Sequence, residues 1–244
     1  MPTTQYKGNE TVSELPLSGS CESIAGNGHH ALVAVSLFNS YYNWPRVQKL
    51  IEWARGRFSN FHVPVFDAPH AYTLAASGYT VDRAVRRALE EGRRMHRKLR
   101  NFLLDRGEQE QADRILTWSN LSSNPRYQAL SLSVERAFHS DARFREACLD
   151  MAAQFVKSRC LEDFPDRPDA TSYGVASDTL LSVRYLLSEL PLFMDTAGIL
   201  RMQSSTFCYH RSYEFYERFF NHEFPIGPMQ GQAFLVVKFP SDRQ

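Results

Sequence analysis

The sequence predicts an α/β fold with parallel strand pairing, and three observations carry that prediction. Residues 31–66 read strand, helix, strand. An apolar stretch from Ala31 to Val35 is followed by Val47, Leu50, Ile51, Ala54 and Phe58 at helical spacing, then by FHVPVF from Phe61 to Phe66. Two strands joined through a helix return side by side in the same direction. Strand-like runs then recur as far as residue 239 with helical patterns between them, which favours one α/β domain over two. Finally, the apolar run Ala31–Val35 stops abruptly at Ser36, and Asn39, Ser40, Tyr41 and Tyr42 follow. A buried strand that empties into a polar loop marks the sheet edge where open α/β folds bind ligands.

Composition bounds the function. The chain has 244 residues, 43% of them hydrophobic and 13% aromatic, enough to bury a substantial core. A net charge of +1 gives no global pull toward nucleic acid or membrane, so any polyanion surface must be local. Cys21, Cys148, Cys160 and Cys208 are far apart and form no CxxC pair, which argues against a zinc site and a disulfide framework. No apolar run is long enough to span a bilayer, and the first sixteen residues lack the apolar core of a signal peptide, so a reduced, cytoplasmic protein is expected.

In chain order, residues 1–28 are rich in Gly, Ser, Thr and Asn and predict a mobile tail, leaving 29–244 as the folded domain. Pro45 suits the first turn of a helix. Pro64 weakens the strand over 61–66, because it removes a ladder donor. Residues 80–106 predict one long helix with Thr80 as its cap, an apolar stripe of Val81, Val85, Ala88, Gly92, Met95, Leu99 and Phe102, and Gly107 as its stop. Helical patterns continue over 108–117, 125–138 and 140–158. The Pro- and Asp-rich stretch 161–176 predicts a loop, and Ser177 or Asp178 caps a helix running toward Pro191. Thr206–His210 predicts a short strand, Tyr213–Phe220 a helix, and Ala233–Phe239 a final apolar strand.

Three constellations carry chemistry, although each alone has an ordinary structural explanation. The 80–106 helix bears Arg83, Arg86, Arg87, Arg93, Arg94, Arg97, Lys98 and Arg100, interrupted only by Glu90 and Glu91. Such a face repels itself unless solvated, and it grips a phosphate backbone without reading bases. Tyr185 and Glu189 are four apart and share a helix face, where a carboxylate and a phenol can hold a substrate ammonium. Tyr209 and His210 follow the apolar pair Phe207 and Cys208 at a strand end, and both side chains can relay protons. No GxxxxGK[ST], GxGxxG, HExxH or GxSxG motif is present, so no ATP, NAD or metal is expected. A serine without those aids needs a substrate already activated, such as an ester.

Taken together and in order, these pieces resemble the cyclodipeptide synthases, which make cyclic dipeptides from two aminoacyl-tRNAs. His30, the strand Ala31–Val35, Ser36 and Asn39 are similar to the family's first motif, and Tyr185, Glu189 and Pro191 to its second. Asn39, Tyr209 and His210 look like the marks of its Asn-Tyr-His subfamily. The stretches PLFMDTAGI and GQAFLVV and the basic helix are also similar, so the resemblance runs from about residue 29 to the end. It implies a single Rossmann-like domain similar to class I aminoacyl-tRNA synthetases, and a cytoplasmic monomer using two aminoacyl-tRNAs without a cofactor.

The resemblance also implies residue roles. Ser36 is the nucleophile, Tyr185 and Glu189 hold the ammonium, Tyr209 relays protons, and Asn39 and His210 position their neighbours. Arg87, Arg94, Arg97, Lys98 and Arg100 face the tRNA. Ala34, Phe66 and Trp118 match the first aminoacyl pocket and Gln154, Ser158 and Arg211 the second, with Leu32, Phe207 and Met151 as further substrate-binding positions. Ala34 departs from the family's usual Gly; with bulky Phe66 and Trp118 it implies a small first residue such as alanine. Arg211 suggests a polar or acidic second one. Two rival readings keep the serine or the helix alone: another aminoacyl-tRNA-dependent acyltransferase or deacylase, and a non-catalytic tRNA-binding module.

Overall fold

The structure is a computed structural model that describes residues 4–5, 11–163 and 172–240, with side chains for 12–156 and 178–240. Its elements in order are β1 (Thr4–Gln5), β2 (Thr11–Pro16), α1 (Gly19–Gly26), β3 (His30–Val33), α2 (Trp44–Arg57), β4 (Asn60–Val65), α3 (His70–Ala76) and α4 (Val81–Leu104). There follow α5 (Gln109–Ala112), β5 (Ile115–Thr117), α6 (Trp118–Ser122), α7 (Pro125–Ser140), α8 (Ala142–Asp163), α9 (Ser172–Leu200), β6 (Ser205–Tyr209), α10 (Glu214–Phe220) and β7 (Gln232–Lys238).

All the strands form one sheet in the order β1-β2-β7-β6-β3-β4-β5. The five from β7 to β5 are parallel, and β2 and β1 add antiparallel at one edge. From β3 the chain winds outward through β4 to β5, then returns to lay β6 and β7 on the other side. The direction of winding therefore reverses between β3 and β6, and a doubly wound sheet opens its ligand crevice at that reversal, beyond the carboxyl ends of the strands.

The central strands are buried on both faces, as parallel strands are. Alternate residues divide between two cores. Leu32, Ala34, Phe207 and Phe234 pack with α7–α10, whereas Ala31, Val33, Cys208 and Leu235 pack with α2 and α4. Pro64 is tolerated because pairing with β3 stops at Leu32–His62, two residues earlier. Among the described residues no helix is long and apolar enough to cross a membrane.

Several expectations need correction. Residues 11–26 do not form a free tail: β2 pairs with β7 from Ser13–Lys238 to Pro16–Leu235, and α1 buries Cys21 and Ala25. Glu14 within this stretch is buried and accepts from Trp53 Nε1 at 3.0 Å and Arg57 Nε at 3.2 Å. Residues 108–117 hold the short helix α5 and then the strand β5, whose three residues are too few to show an alternation.

Thr80 stands at the N-cap of α4 without a side-chain capping bond, and Gly107 does turn the chain, at φ 73°. Val81 and Val85 are 70% and 41% exposed, because Ala84 and Ala88 face Leu74 of α3 and turn them outward. Helix α9 starts at Ser172, not at Ser177 or Asp178, and runs through Pro191 to a break at Asp195. Donors at the break are satisfied: Thr196 N–H by Gln232 Oε1 at 2.7 Å, and Gly198 N–H by Asp195 Oδ1 at 2.8 Å. Of the loop expected over 161–176, residues 164–171 lie outside the described residues and the flanks are helical.

Candidate active site

Ser36 lies three residues beyond the end of β3, and Tyr209 ends β6, so the central reversal of the sheet brings their side chains together. The ladder between the two strands extends past Val33, with Ala34 N–H donating to Cys208 O at 3.0 Å. The hydroxyls of Ser36 and Tyr209 are hydrogen-bond partners. Burial first, then the charge of Glu189, hold the Tyr209 phenol well above its ordinary value, so it stays protonated and able to donate.

The loop after Ser36 is set by local chemistry. Phe38 turns the chain at φ 58°, a left-handed conformation that costs a bulky residue on the order of 1 kcal/mol and clusters at functional sites. Asn39 then caps a short 3₁₀ turn over Ser40–Tyr42, its Oδ1 accepting from Tyr41 N–H at 3.0 Å. That turn presents two rings to His210. Tyr41 stacks on it with centroids 4.1 Å apart, and Tyr42 OH lies 3.0 Å from its Nδ1. Asn39 and His210 thus brace the loop that carries Ser36.

Tyr185 donates to Glu189 Oε1 at 2.6 Å along one face of α9. Its dry surroundings push the Glu189 carboxyl up to about 7, and the Tyr185 bond opposes that rise. The Glu189 charge also bears on Tyr42, Tyr127, Tyr209 and Tyr216, which places it in a nest of phenols that includes the partner of Ser36. Two members were not legible in the sequence. His70 sits edge-on to Tyr185 at 4.6 Å with Nδ1 donating to Phe66 O at 2.7 Å, and Tyr127 OH donates to Ser188 O at 2.6 Å. Neither lies in a recognisable motif. Tyr41 and Tyr42, which both meet His210, fall in the stretch beside Ser36 and are detectable there.

The first-pocket set is brought together. Leu32, Ala34, Phe66 and Phe207 share one apolar core, and Trp118 packs against it 6.1 Å from Phe66. Leu32 and Phe207 are deeply enclosed, at 0% and 2% exposure. For the second set, Met151 and Gln154 line a cavity of about 350 Å³ between α8 and α10, and the side chain of Ser158 lies outside the described residues. Arg211 is exposed, with its guanidinium 4.7 Å from the Tyr213 ring centre, so it does not support an acidic second residue.

Ser36 is open to solvent through a cavity of about 420 Å³. Its far wall is α4, which contributes Arg87, Arg94 and Lys98. Arg94 is oriented by a two-pronged pair with Glu91, at 2.8 and 2.6 Å. Lys98 lies over Trp44 and Arg87 over Phe38. Arg97 faces a second cavity on the other flank of α4, and Arg100 is exposed but lines neither. The serine and the basic helix, far apart in the chain, are two walls of one space.

The model of the family described as cyclodipeptide synthase matches residues 12–239. The chain is 32% identical to a cyclo(L-leucyl-L-leucyl) synthase of Bacillus subtilis over 91% of its own length and 87% of the relative's. It is 31% identical to a cyclo(L-leucyl-L-phenylalanyl) synthase of Streptomyces noursei, over 88% and 87%. Its fold superposes on the crystal structure of a cyclodipeptide synthase from Bacillus thermoamylovorans with a TM-score of 0.83 and 29% identity, covering 93% and 96% of the two chains. A Mycobacterium tuberculosis protein described as relating cyclodipeptide synthetases to type I tRNA synthetases shares the fold at a TM-score of 0.78 and 23% identity, over 97% and 96%. The chain belongs to the cyclodipeptide synthase family of enzymes.

Proposed function

We propose that this enzyme builds a 2,5-diketopiperazine from two aminoacyl-tRNAs by a ping-pong route through esters of Ser36. One observation carries the reading: the Ser36 hydroxyl and the cations of α4 line the same cavity. A polyanionic carrier laid on the helix would put an activated ester within reach of the serine.

Ser36 Oγ attacks the first ester carbonyl, and its proton passes to the departing ribose oxygen, with the neutral Tyr209 phenol as relay. Glu189 and Tyr185 hold the aminoacyl ammonium. The amine of the second aminoacyl-tRNA displaces Ser36 from that ester and forms the first amide. The dipeptidyl group returns to Ser36 as the second tRNA leaves. Its free amine then closes on the Ser36 ester, forming the second amide and releasing the serine hydroxyl. Exchanging two esters for two amides supplies the free energy, and charged tRNA makes the cytoplasm the place of work.

Asn39, Tyr209 and His210 support assignment to the Asn-Tyr-His subfamily. The Ala34 methyl, in one cluster with Phe66, supports a small first residue. The test is expression in a bacterium with mass spectrometry of the medium, together with trapping of the acyl-enzyme. A cyclic dipeptide, and an aminoacyl adduct on Ser36 that is lost in Ser36→Ala, are expected. A free amino acid as sole product, or an adduct elsewhere, would refute the reading.

A further inference from the structure

The second cavity beside α4, about 600 Å³, lies beyond the carboxyl ends of β4 and β5 and has no role in the chemistry above. Its walls carry opposite charges. Arg93 and Arg97 have no ion pair among the described residues, and Arg94 lines this cavity and the Ser36 cavity alike. Asp67, packed under Gly92 of α4, and Glu90 supply the negative charge. The Oδ1 of Asp67 is buried with no hydrogen-bond partner among the described residues, and Asp67 itself lines the cavity. A carboxylate kept in a wall without a donor calls for an occupant that supplies one.

The mixed lining selects the occupant. A simple anion would be repelled by Asp67, and a simple cation by the arginines. A ligand with both a phosphate and a hydroxyl donor satisfies both walls. The position agrees: Asp67 stands two residues past β4, the second parallel strand, where an acidic side chain in a doubly wound sheet receives ribose hydroxyls. Nothing glycine-rich follows β3 to hold phosphate, so that task falls to α4.

We propose that this cavity is a ribonucleotide subsite. A nucleotide of the carrier RNA's single-stranded 3′ end, inward of the esterified one, donates its 2′-hydroxyl to Asp67 while Arg93 and Arg97 take its phosphate. The inference rests on the tRNA reading above and adds to it a contact that tells RNA from DNA.

The test uses the full-length protein and an acceptor-stem minihelix with a single-stranded 3′ end, in all-ribose form and with single 2′-deoxy substitutions. For one position the wild type is expected to lose about tenfold in affinity, the size of one hydrogen bond to a charge. Asp67→Ala should bind the two forms equally, and Asp67→Asn, which keeps an acceptor, should retain part of the discrimination. Equal losses in wild type and Asp67→Ala at every position overturn the subsite. Adenosine monophosphate competing in an Asp67-dependent way, with no effect of any 2′-deoxy substitution, would mean a free nucleotide and overturn the RNA source. Failure of the wild type to bind the all-ribose minihelix at low salt would instead sink the tRNA reading itself.

Discussion

A Cβ on Gly92 would stand 2.2 Å from the Cβ of Asp67. Only a residue without a side chain lets α4 lie this low across the carboxyl edge of the sheet, where its cations wall the Ser36 cavity. Gly92→Ala is therefore expected to lift the helix and cost about 1–3 kcal/mol, read as a lower urea midpoint. Pairing it with Asp67→Gly, which removes the opposing Cβ, should recover part of the loss. A fully additive double mutant would show that the contact does not set the height of the helix.

The Glu189 carboxyl titrates near pH 7 in the free protein. As its folded pKa is raised, its proton is favoured in the native state, and stability from this site falls as pH rises from the ordinary glutamate value through about 7. On the proposed mechanism function runs the other way, since the substrate ammonium would need the carboxylate. Carboxyl ¹³C titration should show this midpoint, and Tyr185→Phe, which deletes the bond that lowers it, should move it upward. A midpoint unmoved in Tyr185→Phe would remove the phenol from the ammonium site.

Far from that site, His30 bridges Ser205 Oγ at 2.8 Å and His62 Nδ1 at 2.8 Å. Only one proton fits between two ring nitrogens. Burial lowers His30 to about 3 and His62 to about 4, with neighbouring positive charge adding to the effect. Both pKa values are depressed, so the stability they contribute is whole above pH 6.5 and is lost as pH falls toward those values. His62→Leu should flatten the acid limb of the unfolding free energy by roughly 1.4 kcal/mol per pH unit. An unchanged slope would mean that the pair is protonated in the native state.

Reversing Arg97 and Lys98 to Glu should weaken binding of an acceptor-stem RNA and reduce the salt slope by about two, near one per lost phosphate contact. Affinity measured across a salt series decides it. Weakening without a change in slope would place the phosphates elsewhere.

The apolar run at 31–35, of which the strand takes up His30–Val33, the long amphipathic helix expected over 80–106 and found over Val81–Leu104, and the Tyr185–Glu189 interval are local patterns, and each was legible in the sequence. So was the joint order of the motifs, because order in the chain is a property of sequence. The fate of Glu14 was not, since its partners Trp53 and Arg57 are some forty residues away. Nor was β5, too short to show a period and identified only by the strand it joins. Local pattern is enough to tell which side chains are available: a serine at a strand end, a carboxylate and phenol on one helix face, and a row of cations. Tertiary structure alone decided that these meet, because the winding reverses between β3 and β6 and because Gly92 lets α4 settle over that crevice. Chemistry resides in residues, but proximity between distant residues is a property of packing, which no local spacing encodes.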